Sequence, residues 1–152
     1  MKQATILEEH ASLDEGILMK NNDDILVYVE AIIEHPTAKN YEIFSSTGEL
    51  PASGYVVMNN IPVTEEGRAT FEERFKNRAG LVETEPGFQT IRILRPLDDD
   101  TYVVVTIWDD EQSFKNWQES NSYKNAHKNR GTSAGLQTSI FPRPSFVTTY
   151  SF

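Results

Sequence analysis

Alternation of apolar and polar positions is clearest in the last two-thirds of the chain. Tyr55–Val63 is rich in β-formers and predicts a strand. Thr64 can cap a helix running to about Arg78, in which Phe71 and Phe75 share one face at i, i+4 spacing. Glu72, Glu73, Arg74 and Lys76 then lie mostly outside, and Gly80 stops the helix. Pro86-Gly87 is a turn. Phe88–Leu94 alternates and predicts a second strand, ended by Pro96, and Leu97–Asp100 is an acidic turn. Thr101–Trp108 is a third strand, whose Val103-Val104-Val105 run implies burial on both faces. Asp109 followed by Gln112 fits a capping box for a second helix carrying Phe114 and Trp117. Ser120–Ser122 interrupts or bends that helix before Tyr123–Lys128, Gly131–Gly135 is loop, and Phe146–Phe152 is a last strand. The order β-α-β-β-α-β predicts an α+β, ferredoxin-like domain: an antiparallel sheet with both helices on one face. An apolar sheet face does not stay in water, so the other face needs cover from a second sheet or a ligand.

The first third is less regular. Ile17–Lys20 and Ile25–Glu30 flank the turn-rich Asn21-Asn22-Asp23-Asp24 and predict a hairpin. His35-Pro36 breaks the pattern, Tyr41–Ser46 predicts a short helix, and Leu50–Gly54 reads as a linker. The expected organisation is a shortened, β-rich N-terminal segment over 1–53 followed by a catalytic domain over 54–152. No solenoid-type repeat is visible.

Charge and composition narrow the function. The chain of 152 residues carries a formal net charge of −9 and no cysteine. Disulfides, thiolate metal sites and thiol catalysis are excluded, and a cytoplasmic setting fits. Residues 1–53 hold three lysines against ten acids, whereas 54–152 hold eleven basic against thirteen acidic residues. An acidic chain repels phosphate backbones, so a nucleic-acid partner is not expected. No apolar run is long enough to span a membrane, and the acidic Met1–Gly16 does not read as a signal peptide. Of the three histidines, His10 and His35 are expected to be solvated. His127 lies near the end of the second helical segment, where the ordinary reading is interaction with the helix dipole.

Several stretches occur in order: Val57-Met58-Asn59-Asn60-Ile61-Pro62-Val63, Phe71-Glu72-Glu73-Arg74-Phe75-Lys76-Asn77-Arg78, Pro86-Gly87-Phe88, Trp108, Phe114-Lys115-Asn116-Trp117 and Ala126-His127-Lys128. Together they resemble the IsdG family of heme-degrading enzymes, within the antibiotic-biosynthesis-monooxygenase superfamily. Asn77-Arg78-Ala79-Gly80, Leu94-Arg95-Pro96-Leu97-Asp98 and Arg143-Pro144-Ser145 are similar to its HmoB subgroup. The resemblance covers roughly 54–152 and implies a heme-degrading monooxygenase, with heme as both cofactor and substrate and electrons from an external reductant or reductase.

It implies further that His127 ligates the heme iron, that Asn59 hydrogen-bonds dioxygen on the open side, and that Trp117 presses on the porphyrin and ruffles it. Asn60, the neighbour of Asn59, faces the opposite side of a strand, so only one of the two can serve. Arg74 and Arg78, four apart, are candidates for the propionates, against an ordinary reading as a solvated face. Trp108 reads as core. Ten residues of continuous helix rotate by about 1000°, leaving Trp117 and His127 roughly 80° apart, so the Ser120–Ser122 bend is needed to bring them to one pocket. Two other functions share the fold: a non-enzymatic heme-binding or stress-signalling protein, and a cofactor-independent monooxygenase of an aromatic substrate. The N-terminal segment would cover the sheet in cis and give a pseudo-dimeric monomer; a homodimer is the alternative.

Overall fold

The computed structural model describes residues 2–8, 16–76, 85–119 and 140–152. Its elements are β1 (Gln3–Glu8), β2 (Ile17–Lys20), β3 (Ile25–Val29), β4 (Lys39–Thr47), β5 (Tyr55–Pro62), α1 (Arg68–Lys76), β6 (Phe88–Pro96), β7 (Thr101–Trp108), α2 (Glu111–Gln118) and β8 (Phe146–Ser151). The antiparallel ferredoxin-like sheet forms, but it is not an open four-stranded layer. Among the described residues, eight strands close into one barrel in the order β1-β3-β2-β8-β5-β7-β6-β4. Closure removes the free sheet edges that an open layer would expose.

The order contains an internal symmetry. Within 1–53 the strands run fourth, first, third, second (β4-β1-β3-β2), and beyond residue 54 they repeat that order (β8-β5-β7-β6). Each half joins the other by pairing its second strand with the other's fourth. One seam is long, with β4 and β6 in register from Tyr41↔Pro96 to Thr47↔Ile91. The other is thin: β2 meets β8 only at Lys20↔Ser151, with the Asn21 side-chain amide donating to the Thr149 carbonyl at 2.8 Å.

Side-chain alternation then sorts residues between lumen and exterior. Ala4, Ile6, Met19, Tyr28, Tyr41, Ile43, Val56, Met58, Val103, Val105 and Ile107 fill the lumen as one apolar cluster. Inside it, Arg92 on β6 is buried, and its Nε donates to Glu30 at 2.9 Å. The Tyr28 hydroxyl also donates to Glu30, at 2.8 Å. This pair crosses from one half to the other, and burial pushes the Tyr28 phenol well above its ordinary range. On the exterior of the second half, α1 buries Phe71 and packs Phe75 over Ile61, Val63 and Tyr102. There α2 buries Phe114 over Val57 and Trp108.

Five differences from the sequence reading stand out. Tyr41–Ser46 is not a helix but the centre of β4; a bulge between Ile43 and Ser45 breaks the period of two, which is why the run lost its strand signature. β1 had no predicted counterpart, because Ala4, Thr5, Ile6 and Leu7 are all buried and leave no alternation to read. The cap of α2 is Asp110, whose carboxylate accepts from the Ser113 amide at 2.8 Å. Asp109 instead accepts from Gln89 on β6, and Gln112 donates to Asn116. His35 is half-buried, with Nδ1 2.9 Å from the Thr37 hydroxyl. Thr64 caps a turn that precedes α1 by accepting from the Gly67 amide at 3.1 Å. His10, Ser120–Ser122, Tyr123–Lys128 and Gly131–Gly135 lie outside the described residues.

Candidate functional site

The exterior of β5 carries the candidate site. Val56 and Met58 point into the lumen cluster, so Tyr55, Val57, Asn59 and Ile61 point outward. One end of this outward row lies under α2 and the other under α1, which places Asn59 at the border between the two helix-covered clusters. Its Cα partners are Val104 on β7 and Val147 on β8. Val147 is 55% exposed, a large apolar side chain left uncovered on the face that Asn59 shares. The Oδ1 of Asn59 is buried, with no hydrogen-bond partner among the described residues. Such an atom costs about 1–3 kcal/mol if nothing meets it, and native structures keep few of them. Oxygen and nitrogen of a carboxamide are interchangeable in assignment, so this terminal atom can donate or accept according to what it meets.

The two adjacent asparagines behave as the pleat requires. Asn60 points to the lumen side, where its Nδ2 lies within hydrogen-bond distance of Met58 O at 3.2 Å and of Phe146 O and Thr148 Oγ1 at 3.3 Å. Its polar group is used by the fold. That of Asn59 is not.

Trp117 sits in the last turn of α2, half-buried and packed on the cluster of Val57, Trp108 and Phe114. Its ring centroid is 5.4 Å from that of Trp108, with planes 31° apart, and 6.0 Å from that of Phe114. Asn59 and Trp117 thus belong to one outer surface, floored by Val57 and flanked by aromatic rings. Arg74 is half-buried on α1. His127 and Arg78 lie outside the described residues, as does the bend expected between Trp117 and His127; α2 ends at Gln118, before Ser120.

Sequence reading missed the group that holds α1 over this face. Glu72 accepts from Arg95 Nε at 2.8 Å, from Arg95 Nη2 at 2.5 Å and from the Tyr102 hydroxyl. Arg95 also reaches Glu42 at 3.4 Å and lies over the Phe44 ring. The Arg95 guanidinium holds the Glu72 carboxyl below its usual value despite partial burial. Burial, and then the Glu72 carboxylate, push the Tyr102 phenol up. The available signal was the outward register of Arg95 and Tyr102 beneath an acidic helix position. Arg68, at the start of α1, borders a separate hollow of about 500 Å³. Glu65, Asp98, Asp99 and Asp100 line that hollow, and this acidic wall repels an anionic ligand.

A family model described as antibiotic biosynthesis monooxygenase matches residues 54–129, half of the chain. A heme-degrading monooxygenase of Bacillus cereus is 33% identical over 79 residues, covering 50% of this chain and 73% of that protein. Among solved structures, the heme-degrading enzyme LmHde of Listeria monocytogenes superposes with a TM-score of 0.71 at 20% identity, over 100% of this chain and 99% of that one. MhuD of Mycobacterium tuberculosis, a heme degrader solved with two hemes in its active site, gives a TM-score of 0.51 at 28% identity. That match covers 64% of this chain and 94% of MhuD.

Proposed function

The chain belongs to the antibiotic biosynthesis monooxygenase family, and from that premise we propose that it binds heme as its substrate and opens the porphyrin oxidatively, with dioxygen and electrons from an external reductant, releasing iron. The observation that carries this reading is the unpartnered terminal atom of Asn59, buried on an apolar, tryptophan-flanked surface. A flat, largely apolar macrocycle suits such a surface, and a fixed polar group on it gives orientation. When bound, the heme supplies the iron at which dioxygen is activated.

The chain's residues then divide the work. His127 is the proposed iron ligand, through a neutral imidazole. Asn59 would offer its carboxamide to dioxygen and orient it. Trp117 would be the wall against which the macrocycle packs, and Arg74 and Arg78 are proposed to meet the propionates. Val57, Val104 and Val147 supply apolar floor and help to exclude water.

The first half of the barrel supports a single site per chain. In β1 the outward Thr5 is fully buried, within 2.7 Å of Ala31 O and of the Asn40 side chain, and it accepts from the Ile33 amide. The 31–38 segment packs as Ala31, Ile33 and Ala38 over Leu7, Val27 and Val29. Where the second half leaves a polar atom waiting, the first half satisfies its own with a loop. Residues 1–53 therefore act as the covering half of a monomer, with 54–152 as the catalytic domain.

Hemin titration followed by reductant and air tests the reading. A Soret band that forms at one equivalent and then decays supports it. A band that persists indicates binding or sensing without turnover. Absence of a band rejects heme and favours an aromatic substrate.

A further inference from the structure

Trp117 stands in the last turn of α2, with Glu119 as the helix C-cap. Trp108 lies against its ring. The Trp108 indole is fully buried and packs tilted against Trp117, with centroids 5.4 Å apart and planes at 31°. Phe88 meets it edge-on at 5.8 Å, and Phe114 lies tilted against it at 5.9 Å. Its Nε1–H is also fixed in direction, because it donates to the Thr106 hydroxyl at 3.0 Å within the buried face. Thr106 and Trp108 are two apart on β7, so both point outward. Four constraints, one hydrogen bond and three rings, hold this side chain in one orientation.

We propose that Trp108, oriented by Thr106, is a positioning residue for Trp117: a rigid backing that sets the tilt of the half-buried indole. The proposal rests on the heme reading for its consequence and on the two-indole geometry for its substance. A wall that bends a macrocycle must deform less than the macrocycle does. Behind the half-buried Trp117, the fully buried Trp108 supplies such a backing. Trp108 touches no substrate in this arrangement; it acts through Trp117.

The test uses Thr106→Val, which removes the acceptor but keeps the shape, Thr106→Ser, which restores the acceptor, and Trp108→Phe. The chain has only two tryptophans, so the tryptophan exciton couplet in the far-UV circular dichroism of the unliganded protein reads this pair. The exciton feature is expected in the unmodified protein and in Thr106→Ser, reduced in Thr106→Val and absent in Trp108→Phe. In the hemin complex, Thr106→Val is expected to bind within about threefold of the unmodified protein while the rate of Soret loss falls about tenfold. The resonance Raman markers of out-of-plane distortion should weaken with it, and Thr106→Ser should recover both. A loss of general stability alone would not move the Raman markers or be rescued in this pattern. An exciton feature unchanged in Thr106→Val overturns the proposal whether or not hemin binds. Unchanged Raman markers and rate in that variant overturn its consequence for the reaction. Failure of the unmodified protein to bind hemin instead overturns the heme reading, leaving the dichroism to decide the indole pair.

Discussion

Replacing Glu72 by alanine should be among the most destabilising single changes outside the apolar core. Its carboxylate takes hydrogen bonds from two nitrogens of Arg95 and from the hydroxyl of Tyr102, and Tyr102 is fully buried. Removing one partner of a fully buried ion pair costs about 3–5 kcal/mol. Here the side chains of Arg95 and Glu72 retain 26% and 16% exposure, so solvent reduces that to about 1–2 kcal/mol. The stranded Tyr102 hydroxyl adds about 1–2 kcal/mol. Glu72→Ala should therefore lose about 2–4 kcal/mol in urea denaturation, and Glu72→Gln, which retains an acceptor for Tyr102, about half of that.

The pH dependence has a fixed sign. The folded Glu72 carboxyl titrates below its value of 4.5 in the unfolded chain. Its contribution is therefore complete above pH 4.5 and disappears as pH falls through the lower folded value. The gap between unmodified protein and Glu72→Gln should accordingly narrow on acidification. As a reference, the exposed Glu111–Lys115 pair, with side chains 56% and 58% exposed, should cost no more than about 0.5 kcal/mol when broken. A Glu72→Ala loss no larger than that of Glu111→Ala, or a gap that widens as pH falls, refutes the argument.

Asn59→Ala should still bind hemin but turn it over at least about tenfold more slowly, measured as Soret decay with reductant; an unchanged rate rejects Asn59 as the orienting group. His127→Ala should weaken or abolish the hemin band itself, separating ligation from orientation. Asp110→Ala, which removes the cap on the Ser113 amide, should cost about 1 kcal/mol in thermal or urea denaturation. Sedimentation velocity should give a single species at the mass of one chain, since residues 1–53 already complete the barrel; a stable dimer overturns their role as the covering half.

Much of the second half was legible in the sequence because its code is local. Thr101–Trp108, a β-branched and aromatic run read as buried on both faces, forms a strand where expected, and the turn at Asn21–Asp24 lies between β2 and β3 as read. Asn59 and Asn60 had to face opposite ways because adjacent residues on a strand always do. Local reading failed where the code itself breaks. β4 carries a bulge that hides its period, and β1 is buried throughout. The choice between Asp109 and Asp110 as cap depended on Gln89, twenty residues away, occupying the first of them.

The chain on its own determined strand alternation, the charge imbalance, the lack of thiol chemistry, and the family resemblance of residues 54–152. Only the tertiary structure decided that the two halves repeat one strand order and close on each other. That repeat lies in hydrogen-bond pairing between distant segments and leaves no period in the residue string. The same holds for the site. A carboxamide is unsatisfied, an indole is backed and a helix is pinned only relative to atoms that folding brings alongside, and no spacing along the chain encodes which groups will be left without a partner.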